Sequence, residues 1–285
     1  MSAEIINGSE MAGEIKDNLK ERIQEFKDEG RAPGQATVIV GDDPAARAYV
    51  NMKEKVAKKL GIDSTVHQLP EDVEEKELLN LITDLNNDYR VDGILIQLPL
   101  PDHIDQNKVI ETIEPTKDVD GFHPLNTGRL FSNIEHGVRM VPCTPLGALE
   151  LIKSTGIDIK GKKAVIVGHS NIVGKPMAHL LMDQFATVTV CHIYTEDLAA
   201  ETREADILIS AAGKPNLITA DMVKEGAVVI DIGINKVDDE IVGDVDFEAV
   251  KEKAGYITPV PGGAGPMTIA MLMKNTVRAR EYHGV

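Results

Sequence analysis

Short runs of branched apolar residues alternate with segments of helical period from one end of this chain to the other, and that alternation admits little besides an α/β fold on a mostly parallel sheet. In the first half, Met11, Ile15, Leu19, Ile23 and Phe26 recur every three or four residues before Gly30, predicting an amphipathic helix with a glycine stop. Thr37 to Val40 reads as a strand. Asp43 and Pro44 then supply an N-cap and a first-turn proline, and Tyr49, Met52, Val56 and Leu60 carry an apolar stripe to a stop at Gly61. Ser64 to Leu69, a helix around Leu78 to Leu85 and the buried strand Gly93 to Leu98 complete a first α/β unit. Thr144 and Pro145 start a connecting helix through Leu151 to Gly156. Beyond it, Lys163 to Val167, Thr187 to Cys191, Asp206 to Ser210 and Ala227 to Asp231 are four strands separated by helices, the spacing of a dinucleotide-binding fold. Pro266 to Tyr282 reads as one long helix.

The expected architecture is therefore two α/β domains, the second of Rossmann type. At 285 residues both can bury a core without disulfides or a structural metal. Cys143 and Cys191 lie far apart with no CxxC or Cys/His ligand spacing, which predicts neither a disulfide framework nor a zinc site and suits a reducing, cytoplasmic setting. No run approaches the about 18 apolar residues of a membrane-spanning helix, and the opening MSAEIINGSE lacks the basic-then-apolar profile of a secretion signal. A formal charge of -16 argues against nucleic acid as a partner, and requires any anionic ligand to be held by local lysines or backbone N–H groups.

Between the strand Lys163 to Val167 and the next helix lies Gly168-His169-Ser170-Asn171-Ile172-Val173-Gly174-Lys175-Pro176, a variant of GxGxxG with Ser170 at the middle glycine. Alone it is an ordinary strand-to-helix turn as readily as a nucleotide loop; the four-strand context favours the nucleotide. At the end of the second strand, where an NAD site usually places Asp or Glu, the chain reads Cys191-His192-Ile193-Tyr194. A missing carboxylate removes repulsion toward a 2′-phosphate and leans toward NADP, with NAD not excluded, although no arginine stands nearby. His169 and Lys175 are the candidate cations there, and Lys175 reads slightly better as a solvated surface charge.

In the first half, Tyr49 and Lys53 at i,i+4 can share a pocket in which a phenol orients an amine and a desolvated lysine loses its proton near neutral pH. By itself such a pair more commonly marks a core-boundary aromatic beside an exposed lysine. Gln97, however, ends a very apolar strand and is followed by Pro99-Leu100-Pro101, where open α/β sheets present ligand-binding groups. Asp118 and Asp120 lie in Lys117-Asp118-Val119-Asp120-Gly121-Phe122, which reads equally as a turn and as a source of a carboxylate for the amino-pyrimidinone edge of a heterocycle. Pro259-Val260-Pro261-Gly262-Gly263-Ala264-Gly265-Pro266 is rigid yet poor in side chains, so backbone can approach a flat ligand there.

With these segments in view, the chain resembles the bifunctional methylenetetrahydrofolate dehydrogenase/methenyltetrahydrofolate cyclohydrolase family over nearly its whole length. The resemblance is carried by Tyr49-Val50-Asn51-Met52-Lys53, Gly93 to Pro101, Lys117 to Pro124, Pro142-Cys143-Thr144-Pro145, Gly168 to Pro176 and Thr258 to Thr268. It implies a catalytic domain at 1–143 and 267–285, an NAD(P)-binding domain at 144–266, a cleft between them and a homodimer acting in one-carbon metabolism that feeds purine biosynthesis. It implies further that Lys53 is the catalytic lysine, that Tyr49 adjoins it and stacks on the folate, that Gln97 holds Lys53 and that Asp120 binds the pterin. Pro261, Gly262 and Gly263 would line the folate pocket, and Gly168, His169, Ser170, Ile193 and Ile234 would surround the dinucleotide. The chain departs from the family pattern at Ala46, where a serine is common, and at His169 and Ile193, positions that often contact the 2′-phosphate.

The expected chemistry is hydride transfer from the one-carbon bridge of methylenetetrahydrofolate to a nicotinamide, which needs alignment more than acid or base. Water then attacks the cationic product with an uncharged Lys53 taking its proton. A short-chain dehydrogenase also uses YxxxK, but there the pair follows the nucleotide loop, whereas Tyr49 precedes it. A non-enzymatic nucleotide- or folate-binding module would not need Lys53, Gln97 and Asp120 together.

Overall fold

The structure, a computed structural model, describes residues 2–132, 134, 139–238 and 240–284. Its elements in chain order are β1 Glu4–Ile5, α1 Gly8–Asp28, β2 Gly34–Val40, α2 Pro44–Leu60, β3 Asp63–Leu69, α3 Glu75–Asn87, β4 Gly93–Ile96, α4 Gln106–Thr112, α5 Pro124–Phe131 and α6 Cys143–Ser154. There follow β5 Lys163–Val167, α7 Gly174–Asp183, β6 Thr187–Cys191, α8 Leu198–Arg203, β7 Ile207–Ser210, β8 Val228–Asp231, β9 Asn235–Val237, β10 Glu240–Val242, α9 Phe247–Val250, β11 Tyr256–Ile257 and α10 Ala264–His283. Among the described residues no helix is long and apolar enough to cross a membrane.

Two compact units result. One joins Met1–Gly13 to Thr144–Met271, the other Glu14–Cys143 to Leu272–Val285. The expected extents, 1–143 with 267–285 and 144–266, differ from this mainly at the N-terminal segment. That segment goes with the later residues because β1 pairs in parallel with β11, Glu4 opposite Tyr256 and Ile5 opposite Ile257, and Ala3 is buried in the core beneath them.

The unit of Glu14–Cys143 and Leu272–Val285 carries a parallel three-stranded sheet in the order β3-β2-β4. Apolar residues of β2, β4, α3 and α4 form its core, among them Val38, Leu78, Ile82, Ile94 and Val109. Three buried polar groups lock its loops. Asp92 takes both guanidinium arms of Arg31 at 2.6 and 2.9 Å and the Gly34 N–H at 2.8 Å. Lys117, 7% exposed, donates from Nζ to the carbonyls of Leu85, Asn86 and Asp88 at 3.2, 2.7 and 2.9 Å, a cation set on the carbonyl end of α3 where the helix dipole favours it. Asn275 of α10 donates from Nδ2 to the carbonyls of Val119 and Val141 at 2.8 and 3.0 Å, tying both segments to the last helix.

The other unit holds a parallel sheet in the order β1-β11-β8-β7-β5-β6, with β9 and β10 as a separate antiparallel hairpin. Counted from β5, the strands run 2-1-3-4, then β11 as the fifth, the doubly wound order whose chain direction switches between β5 and β7. Ligands of such sheets sit beyond the carboxyl ends of the strands flanking that switch. The four strands expected from sequence are present. β1 and β11 were not expected, because two-residue strands carry no measurable period.

Candidate active site

Helix α2 begins as its sequence dictates: Asp43 accepts from the Ala46 N–H at 2.7 Å, Pro44 occupies the first turn, and Gly61 closes the helix at φ 90°. The buried face, however, is Val50, Lys53, Ala57 and Leu60. The stripe expected through Tyr49, Met52 and Val56 is displaced by one residue, and Met52 is 52% exposed. A lysine in the apolar seam caused the misreading, since a hydrophobic period cannot register a charged core position. The same anomaly is the signal that Lys53 has a task other than solvation.

Lys53 Nζ donates to Gln97 Oε1 at 3.1 Å and lies 4.4 Å from the centre of the Tyr49 ring. Gln97 follows β4 directly; its N–H continues the ladder to Val38, and its Nε2 donates to the Leu98 carbonyl at 2.8 Å, which turns Oε1 toward the lysine. Burial lowers the Lys53 pKa, against the opposing pull of Asp120 and of the Cys143 thiol. Asp120 moves the other way. The residue is partly covered, and burial pushes its carboxyl up to about 7 while Lys53 pulls it down. The Tyr49 phenol and the Cys143 thiol are both pushed up by burial. An amine disposed to give up its proton and a carboxyl disposed to keep one therefore act on each other electrostatically.

The two aspartates of the Lys117-Asp118-Val119-Asp120 segment separate cleanly. Asp118, 1% exposed, accepts from the N–H groups of Gly121 and His123 at 3.1 and 2.8 Å and from Asn126 Nδ2 at 2.9 Å. It is a loop-forming group with its donors already supplied within the fold. Asp120 is the one that shares an electrostatic environment with Lys53.

In the doubly wound unit, the turn after β5 is built on close approach. Gly168 has φ 127°, and a Cβ there would stand 2.2 Å from the Ala211 carbonyl oxygen; a Cβ on Gly174 would stand 2.0 Å from the Gly168 oxygen. Ser170, in the middle-glycine place, uses its hydroxyl to accept from the Val173 N–H at 3.1 Å and so supports the start of α7. A cavity of about 680 Å³ opens beyond β5 and β7, at the switch in strand order, and Gly168, His169, Ser170 and Ile193 all line it. Ile234, 65% exposed on the segment after β8, is not among its lining residues. Lys175 lines the cavity with its ammonium held by Asn171 Oδ1 at 2.6 Å. The His169 and His192 rings meet edge to face, 5.3 Å between centres, and His192 Nδ1 accepts from the Tyr194 N–H.

Sequence reading missed His192 and Lys214, which also line this cavity. Among its described lining residues there is no Asp or Glu, in a chain whose formal charge is -16. A cavity walled by imidazoles, ammonium groups and a tight glycine turn suits a phosphate-bearing dinucleotide.

Pro261, Gly262 and Gly263 belong to the turn between β11 and α10 in the same unit. Gly262 at φ 111° presents its carbonyl to the Ser9 N–H at 3.0 Å, and Gly8 and Gly263 pack so closely that a Cβ on Gly8 would lie 2.0 Å from the Gly263 oxygen.

Two family models match the chain: "Tetrahydrofolate dehydrogenase/cyclohydrolase, catalytic domain" over residues 6–120, and the NAD(P)-binding domain of the same family over residues 142–284. The chain is 63% identical to a bifunctional protein FolD of Halothermothrix orenii over 281 residues, 99% of each chain. Among solved structures it resembles the bifunctional enzyme FolD of Campylobacter jejuni, at 52% identity and a TM-score of 0.96, covering 98% of this chain and 99% of that one. It also resembles the methylenetetrahydrofolate dehydrogenase-cyclohydrolase of Trypanosoma brucei, solved with NADP cofactor and an inhibitor, at 38% identity and a TM-score of 0.95, covering 99% and 98%.

Proposed function

The chain belongs to the tetrahydrofolate dehydrogenase/cyclohydrolase family, and from that premise we propose how its own residues oxidise 5,10-methylenetetrahydrofolate with NADP+ and hydrolyse the 5,10-methenyl product to 10-formyltetrahydrofolate. The observation that carries the reading is the Lys53–Gln97 hydrogen bond beside Tyr49 and Asp120.

When bound, the nicotinamide supplies the hydride acceptor for the one-carbon bridge. Tyr49 offers a ring face on which a pterin can stack, and the partly covered Asp120 carboxyl is assigned to the amino-pyrimidinone edge, where two hydrogen bonds fix the substrate's orientation. Gln97 keeps the Lys53 amine in place. Hydride loss leaves a cation on the substrate that disfavours an ammonium beside it, so Lys53 stands uncharged when water attacks the methenyl carbon. Lys53 takes a proton from that water and returns one to the ring nitrogen that leaves, which opens the bridge to the formyl group; one proton is released overall. Pro261, Gly262 and Gly263 are assigned to the folate pocket, and Gly168, His169, Ser170, Ile193 and Ile234 to the dinucleotide.

Absorbance at the reduced-nicotinamide band, followed with methylenetetrahydrofolate and each dinucleotide in turn, tests the reading. Turnover with NADP at a lower KM than with NAD is expected, because no carboxylate among the described lining residues opposes a 2′-phosphate in the cavity. No turnover with either would leave only a binding module. His169→Ala is expected to raise the NADP KM by about tenfold and the NAD KM far less, since only NADP offers it the extra phosphate; an equal change in both would remove His169 from the phosphate's surroundings.

Gly168→Ala is expected to abolish NADP binding measured by titration calorimetry. The new methyl meets the Ala211 carbonyl at 2.2 Å, and the backbone conformation there costs a non-glycine residue about 1–3 kcal/mol besides. Unchanged binding would show that this turn does not face the dinucleotide.

On family membership we further assign the enzyme to the cytoplasm, as a homodimer supplying 10-formyltetrahydrofolate to purine biosynthesis.

A further inference from the structure

One carboxylate in the doubly wound unit collects more donors than any role in the sequence reading explains. Asp244 is completely buried, just after the β9–β10 hairpin. Its Oδ2 accepts from the N–H groups of Ala212 and Gly213 at 2.7 and 3.1 Å and from Ser210 Oγ at 3.3 Å. Its Oδ1 accepts from the Lys214 N–H and from Asn235 Nδ2, both at 2.9 Å. The carboxylate is itself anchored, because the N–H groups of Asp244 and Val245 donate to the neighbouring buried Asp231 at 3.0 and 2.9 Å.

Three successive backbone N–H groups, from Ala212 to Lys214, thus converge on one anion. Such a concavity ordinarily recruits a phosphate or another anionic ligand. Here the protein fills it with its own carboxylate. The turn involved is the one that follows β7, and Ala211, Ala212 and Lys214 line the same cavity as Gly168 and His169. With its N–H groups turned inward, this turn presents the Ala211 carbonyl toward Gly168, in contact so close that a single methyl group does not fit between them. Asp244 does not line the cavity. Its contacts are with the backbone of the turn that approaches Gly168.

We propose that Asp244 is a positioning residue for the dinucleotide site: by occupying the backbone anion pocket of residues 212–214 it fixes the cavity wall and leaves phosphate binding to the Gly168 turn. The inference rests on the dinucleotide reading above. In Asp244→Asn the side chain keeps its shape, but an NH2 group replaces one oxygen and faces N–H donors that lose their acceptor.

Titration calorimetry of NADP against wild type and Asp244→Asn is the primary test, since it reads binding without turnover. The expected result is a Kd weakened by roughly tenfold or more, with the NADP KM rising in parallel and kcat falling less. Hydrolysis of methenyltetrahydrofolate measured without dinucleotide should stay within about twofold of wild type, because Lys53, Gln97 and Asp120 belong to the other unit. A Kd within about twofold of wild type would overturn the proposal, as would a cyclohydrolase loss equal to the loss in NADP binding. Should Asp244→Asn not accumulate folded, the Ser210→Ala/Asn235→Ala double variant removes both side-chain donors and leaves the carboxylate. Its Kd is expected to rise by about threefold or more, and an unchanged value overturns the proposal equally. A wild-type enzyme that binds NADP without oxidising methylenetetrahydrofolate would refute the assigned reaction and leave the role of Asp244 standing.

Discussion

Lys53→Met is expected to lower cyclohydrolase turnover by about 10²–10⁴-fold, the usual contribution of a positioned general base, while folate still binds measurably. The methionine conserves volume in a seam that also holds Val50, Ala57 and Leu60, so the fold is retained. What disappears is the only amine within hydrogen-bond reach of Gln97 Oε1 among the described residues. Hydride transfer needs alignment of donor and acceptor rather than a proton acceptor, so dehydrogenase turnover is expected to fall much less.

Lys53→Arg separates charge from basicity. A guanidinium keeps the positive charge and cannot give up its proton near neutral pH, so hydrolysis should be lost there too. The pH profile supplies a third reading. Burial lowers the Lys53 pKa, so the amine is uncharged over more of the neutral-to-alkaline range than an exposed lysine, and cyclohydrolase activity should rise with pH through that lowered value. Purified Lys53→Met with an unchanged hydrolytic rate would sink the assignment, whatever its dehydrogenase rate.

Asp92→Ala should be the most destabilising single change in the unit of Glu14–Cys143 and Leu272–Val285, by about 3–5 kcal/mol, as when one partner of a buried ion pair is removed. It strands the Arg31 guanidinium and the Gly34 N–H, and the His283 ring 3.5 Å away loses its acidic neighbour. The Arg31→Leu/Asp92→Leu double variant should lose less than Asp92→Ala, because no uncompensated charge remains. Urea midpoints followed by far-ultraviolet circular dichroism check both.

The same group gives stability a pH dependence of known sign. Burial alone would raise the Asp92 pKa, but the donors from Arg31 and Gly34, with the His283 ring nearby, outweigh it and hold the carboxyl below its ordinary value of 3.8. A carboxylate depressed in the folded state contributes stability that is fully present above the unfolded value and is lost as pH falls through the folded one. The wild-type midpoint should therefore drop on acidification below about pH 4, and the Asp92→Ala midpoint should drop less. Parallel curves for the two proteins would exclude Asp92 as the source.

Much of this was legible beforehand because parallel strands buried on both faces read as uninterrupted apolar runs. Lys163–Val167 falls where the sequence placed it for that reason, while the edge strand Thr187–Cys191, only partly buried, was legible from its β-branched alternation of threonine and valine. Caps are equally local: Asp43, Pro44 and Gly61 announce both ends of α2. The lysine itself was visible in the helical pattern only as half of a weak pair with Tyr49, and its place in the middle of the buried face came from the fold.

Local chemistry thus determined the alternation of elements, the ends of α2, the glycine turn at Gly168 and the family to which these motifs point. Each depends on residues a few positions apart, whose steric and hydrogen-bonding preferences act without distant partners. Tertiary structure alone decided that Asp120 rather than Asp118 shares an electrostatic environment with Lys53, that Lys117 caps α3, that β1 joins β11, and that Asp244 holds the turn after β7. In each case the deciding partner lies far along the chain or on another element, and a carboxylate or ammonium is assigned its role by which donors, acceptors and burial the completed fold brings to it.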